Sequence, residues 1–115
     1  MSRNWRLFVI DMREACEKIN RYVAGKSFDD FMQNDMAYDA VLRNLEIIGE
    51  AAKKVPPEIR REYPQVEWKS IAGLRDILAH AYFALDAPTL WDIVTNEIPA
   101  LHKYVQEMLK REKGA

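Results

Sequence analysis

The stretch WKSIAGLRDILAHAYFALD, residues 68 to 86, holds a guanidinium, a carboxylate, an imidazole and a phenol within eight consecutive positions: Arg75, Asp76, His80 and Tyr82. The surrounding Leu, Ile and Ala read as one helix, so the chemistry depends on helical geometry. Asp76 and His80 are four apart, close enough for the carboxylate to fix the imidazole tautomer or favour its protonated form. Arg75 and Tyr82 are seven apart and share a face. Arg75 and His80 are five apart and diverge by about 140° on an ideal helix. Two arrangements would bring them to one atom: a distortion near Ala79, or two copies of this helix meeting across a two-fold axis. The second is favoured, because it forms a cleft holding two arginines and two histidines. Small residues, Ala72, Gly73 and Ala79, border the polar groups and leave room for another backbone or a substrate.

Each of these residues has an ordinary reading. A lone helical histidine is most often solvated or satisfied by a neighbour. A lone arginine at a core edge snorkels. An Asp–His pair at this spacing supports a helix by a few tenths of a kcal/mol, and Tyr82 alone is a core-edge aromatic. The cluster, set beside small residues, is what points to function.

The elements that must position the cluster are helical. Trp5, Phe8, Met12, Ala15, Cys16, Ile19, Tyr22 and Val23 fall at helical spacing, and Gly25 stops that helix. Ser27 is placed to cap a short turn and Asp35 a long helix from about Met36 to Lys54, ended by Pro56 and Pro57. Residues 56 to 64 allow one or two helical turns. The helix of the cluster runs from Glu67 or Trp68 to about Leu85. Asp86 can cap the last helix, with Pro88 in its first turn. Pro99 lies inside that last pattern and predicts a kink near Thr95 or Asn96. With no strand-like alternation, the class is all-α: one domain over residues 1–115, an antiparallel bundle of four long helices plus one or two short ones.

Bulk properties narrow the function. A length of 115 residues with 49% hydrophobic content suits one soluble domain that gains from association. Net charge is −1, so any nucleic-acid contact must be local or shared with a partner. Cys16 is alone, which fits a reducing cytoplasm, and no signal or membrane segment is expected.

The residues also carry a resemblance. RDILAHAY matches the R-x-x-x-x-H-x-Y motif of the HepT-like HEPN ribonucleases, the toxin halves of bacterial and archaeal toxin–antitoxin pairs. Residues 42 to 101 are similar to that family almost throughout, including IIGEAAK, Trp68, the Leu90–Trp91 pair and the IPAL segment at Pro99. Two positions depart: Asp76 stands where the family often has Asn, and Glu67 where it often has Pro. A second negative charge at Asp76 could slow cleavage near a phosphate. The resemblance implies metal-independent RNA cleavage at a homodimer interface, with Arg75 and His80 catalytic and Asp76 and Tyr82 supporting. No cofactor or metal is implied, and His102 has no Cys or His at ligand spacing. The resemblance further implies a nucleotidyltransferase antitoxin that attaches AMP to Tyr82.

Other candidates are weaker. Glu46 and Glu50, four apart, could face a cleft but read more simply as a solvated face. Lys53, Lys54, Arg60, Arg61 and Lys69 could steer RNA, yet Glu58, Glu62 and Glu67 interleave with them. A rival function is a non-catalytic helical partner, or nucleotide-binding scaffold, of a small nucleotidyltransferase. A small-molecule enzyme ranks third, since no Gly-rich phosphate loop is present.

Overall fold

Asn4 starts the first helix, α1 (Trp5–Val23), by accepting the Arg6 backbone N–H on its side-chain oxygen at 2.8 Å. The computed structural model describes residues 4–80 and 86–113, with side chains at 4–74 and 86–111. Gly25, at φ +73°, turns the chain after α1 as expected. Only glycine adopts this left-handed backbone without strain. Ser27 then caps α2 (Phe28–Gln33) through a reciprocal box: Ser27 Oγ accepts from the Asp30 N–H at 3.1 Å, and Asp30 Oδ2 accepts from the Ser27 N–H at 3.4 Å.

The cap of α3 (Asp35–Lys54) is Asn34, not Asp35: Asn34 Oδ1 accepts the Ala37 N–H at 3.0 Å. Asp35 sits one residue inside, where its negative charge still suits the helix N-terminus. Pro57 opens the short α4 (Pro57–Glu62) at a position that needs no N–H donor. Arg60 fastens α4 to the end of α3, donating from Nε to the Val55 carbonyl at 2.7 Å and from a terminal nitrogen to Lys53 at 3.2 Å.

The helix of the cluster, α5, spans Trp68–His80; its expected continuation to Leu85 lies outside the described residues. After Asp86 come α6 (Ala87–Asp92), a π-helical segment (Ile93–Glu97) and α7 (Ile98–Lys113), which form one continuous helical run. The π segment contains Thr95 and Asn96, where the sequence predicts a kink. A proline at position 99 would clash with the carbonyl four residues earlier, and a wider turn relieves the clash. Thr95 Oγ1 donates to the Trp91 carbonyl at 2.7 Å within this run.

Packing joins the long helices into a bundle with no strand among the described residues. α1 lies against both α3 and α7, and α3 lies against α5. The core is built from α1 (Val9, Met12, Ile19), α3 (Val41, Leu45, Ile48), and the last run (Leu90, Val94, Ile98, Val105, Met108). Burying a side chain of this size contributes about 1.5–3 kcal/mol. Truncating Leu45 or Ile48 to Ala costs about 2–5 kcal/mol, because the cavity left behind only partly closes. α5 is therefore held from one side by α3, itself braced by α1. None of the described helices is long and apolar enough to cross a membrane.

Candidate active site on α5

Trp68 anchors the helix that carries the cluster. It is 8% exposed, and its indole N–H donates to the Tyr63 carbonyl at 3.1 Å, fixing where α5 starts. From there the backbone is α-helical at every residue to His80. The distortion considered near Ala79 is therefore absent from the backbone up to His80. Positions 75 and 80 stand about 140° apart around the axis of a regular helix.

Burial along the first two turns shows which side of α5 meets the bundle. Trp68 is buried, Ile71, Ala72 and Leu74 are half-buried against the core, and Lys69 and Ser70 are exposed. On the same wheel, position 75 lies about 20° from Trp68, and position 80 lies about 20° from Lys69. The two motif positions thus fall on different sides of α5, position 75 at the edge of the stripe that meets the bundle and position 80 on the outer side. Gly73 shares the outer side. Among the described residues, a Cβ built there meets nothing within 4 Å beyond its own stretch of helix, so packing against them does not call for glycine at this point. A mid-helix glycine costs about 1 kcal/mol relative to alanine. The side chains of Arg75, Asp76 and His80, including the expected Asp76–His80 contact, lie outside the description, and so does Tyr82 altogether.

A groove of about 330 Å³ runs between α5 and the start of α7. Its floor is Val66, Ile71, Leu74, Ile98 and Leu101, and Glu67 and Glu97 stand at its sides. An apolar floor between two carboxylates is poorly suited to a phosphate, so this groove is not the polar cleft the motif requires.

The weaker candidates resolve into structural roles. Glu46 pairs with Arg43 at 3.7 Å and Glu50 with Lys54 at 3.8 Å, both on the solvated surface. Among the basic residues, Arg60 is spent on the carbonyls at the end of α3, and Lys54 also lies 5.6 Å from the Phe8 ring. Leu90 is buried, and Trp91 packs against Phe31 with ring centroids 5.3 Å apart and against Phe28 at 6.0 Å. His102 forms a contact absent from the sequence reading: its Nε2 lies 3.0 Å from Glu17 Oε2 and ties α7 to α1. The two residues are 85 positions apart, so only the fold could pair them. Among the described residues no three His, Cys, Asp or Glu side chains gather as a metal site.

Comparison with known proteins gives a consistent answer. The family model described as ribonuclease HepT-like matches residues 12–108, a span that includes the whole cluster. A candidate RNase of Caldanaerobacter subterraneus subsp. tengcongensis is 42% identical over 108 residues, covering 94% of this chain and 96% of its own. A candidate RNase of Methanocaldococcus jannaschii is 39% identical over 109 residues, covering 95% and 90%. A candidate ribonuclease HepT of Thermococcus cleftensis is 37% identical over 110 residues, covering 96% of this chain and all of its own. No solved structure matches the chain. With a helical bundle, the motif on one of its long helices, and matches that span nearly the full length, the chain belongs to the HepT-like ribonuclease family.

Proposed function

We propose that this protein is a metal-independent RNA endonuclease whose active site forms between two copies of the chain. The observation that carries the reading is the regular α5 backbone through His80. Because positions 75 and 80 face apart on one straight helix, a guanidinium and an imidazole from different copies can converge where those of one copy cannot. The open outer side at Gly73 gives a second α5 room to approach.

The chemistry follows from residue types. The ribose 2′-oxygen attacks the adjacent phosphorus as a neutral imidazole of His80 takes its proton. The bond from phosphorus to the 5′-oxygen breaks, and that oxygen leaves with a proton taken from solvent water, while the His80 imidazolium returns its proton to solvent. The products are a 2′,3′-cyclic phosphate and a 5′-hydroxyl. Negative charge gathers on the phosphorane oxygens, where the permanently charged fork of Arg75 stabilises it. Asp76 orients the imidazole of His80 and acts as a positioning residue.

The same reading makes the protein the toxin half of a toxin–antitoxin pair in the cytoplasm, with a nucleotidyltransferase antitoxin. AMP placed on Tyr82 would bring a bulky anion beside Arg75 and repel RNA. Purified protein incubated with structured RNA in EDTA tests the nuclease. Cleavage by the wild type, lost in His80→Ala and in Arg75→Ala, is expected. Equal inertness of all three would instead favour the non-catalytic partner of a nucleotidyltransferase.

A further inference from the structure

A second polar feature lies between α1 and α7. It is a shallow trough lined by Arg6, Arg13, Glu17, Lys103, Glu107 and Lys110, among others. Arg6 and Arg13 are seven apart on α1, and Lys103 and Lys110 are seven apart on α7. Each pair shares a helix face, about 10 Å apart along the axis. The Glu17–His102 contact at 3.0 Å closes one end between the two helices. Two rows of cations thus border one depression.

The charge is unbalanced. None of the four cations forms an ion pair among the described residues. Glu17 is engaged by His102, which leaves Glu107 as the one carboxylate of the lining without a described partner. Arg6 Nε is shielded from water and has no hydrogen-bond acceptor. A guanidinium partly removed from solvent attracts an anion more strongly than a fully hydrated one, because the interaction is less screened. This surplus stands out in a chain whose net charge is −1.

We propose that the α1–α7 trough binds the phosphate backbone of RNA as an anchoring track separate from the α5 cleft. The proposal deepens the ribonuclease reading and rests on it for the identity of the polyanion. The lining favours a nucleic acid over an acidic protein segment. Leu109 is its one apolar member and is buried, so the trough offers no pocket for the apolar anchors that dominate peptide recognition. A phosphate backbone needs only cations at intervals. The longest dimension of the chain is 44 Å, and a stacked strand rises about 3.4 Å per nucleotide, so a 30-nucleotide RNA has the length to occupy both cleft and trough.

The test is binding of a 30-nucleotide single-stranded RNA to the full chain, followed by fluorescence anisotropy across a salt series. The trough variant is Arg13→Gln/Lys103→Gln/Lys110→Gln. The control, Lys18→Gln/Arg21→Gln/Lys26→Gln, removes equal charge elsewhere. Circular dichroism melts check that both remain folded. The trough variant should bind roughly tenfold or more weakly at physiological salt, and its log–log salt slope should flatten by about 2, while the control stays near the wild type. Equal effects of the two variants, or none, would overturn the proposal. Displacement of RNA by polyglutamate at matched charge would also overturn it, in favour of an acidic protein partner. The two readings fail separately. Trough-dependent binding without cleavage in EDTA removes the nuclease alone, and cleavage with trough-independent binding removes the anchoring track alone.

Discussion

The Trp68 indole N–H donates to the Tyr63 carbonyl at 3.1 Å inside the core, and this one contact sets the start and register of the helix bearing Arg75 and His80. The same carbonyl accepts the Val66 N–H at 3.2 Å, so it would keep a partner if the indole were removed. Trp68→Phe should therefore cost the hydrogen bond, about 1 kcal/mol, plus a cavity contribution, for a total of about 1–3 kcal/mol. Urea denaturation measures the loss. If α5 register governs the site, cleavage should fall further than the change in folded fraction explains.

A trans site makes an unusual demand. Arg75→Ala and His80→Ala are each expected to be inactive as pure homodimers. When the two are denatured together and refolded, half of the dimers should be mixed, and each mixed dimer holds one site with Arg75 from one copy and His80 from the other. Activity should return to roughly a quarter of the wild type by this count. A mixture as inactive as its components would mean that both groups act within one copy, contrary to the regular α5 backbone. The wild type should also lose rate as pH falls through the ordinary imidazole range, since His80 must be neutral to take the proton.

Asp86 starts the helical run that follows the motif segment. Its Oδ1 accepts the Thr89 backbone N–H at 2.8 Å, and this bond, aided by the Thr89 hydroxyl, holds its carboxyl below the usual carboxylate range. A folded-state value below the unfolded one means that the charged cap contributes stability above about pH 3.9, and that this contribution disappears as pH falls through the lowered value. Asp86→Asn keeps a capping oxygen but cannot titrate. Thermal melts from pH 7 down to pH 2.5 should show a shallower acid decline for the variant than for the wild type. Parallel declines would show that the cap carries no measurable share.

Much of the architecture was legible because local chemistry and tertiary packing agree. The stripe Met12–Ala15–Cys16–Ile19, the cap at Ser27, the stop at Gly25 and the proline pair ending α3 each have a local cause that the fold leaves intact. Asn34 outcompeted Asp35 because both can cap, and only the entering backbone decides which residue stays extended. Pro99 marked the disturbed turn, but spacing alone does not separate a kink from a π turn, since both relieve the same clash. The helix and spacing of Arg75, Asp76 and His80 could be read directly, because one element carries all three. The α1–α7 trough could not, because its cations come from opposite ends of the chain and none has a local partner to mark it. Their seven-residue spacing was the available signal.

Cys16 supplies a probe of the whole bundle that does not depend on activity. It is fully buried on the α1 face that packs into the core. Burial, with a smaller contribution from the neighbouring Glu17 charge, pushes its thiol up to about 12. The reactive species is the thiolate, so the folded protein offers neither the anion nor access to it near pH 8. Linkage has a definite sign here. A folded value above the unfolded one gives stability that is complete below the ordinary thiol range of about 8.5 and is lost as pH rises towards the folded value. Alkylation by iodoacetamide at pH 8 should therefore be negligible in native protein and rapid in urea. Its residual native rate should rise in Trp68→Phe in proportion to the unfolded fraction. Fast labelling of the folded wild type would instead reveal an opening of α1 away from α3 and α7.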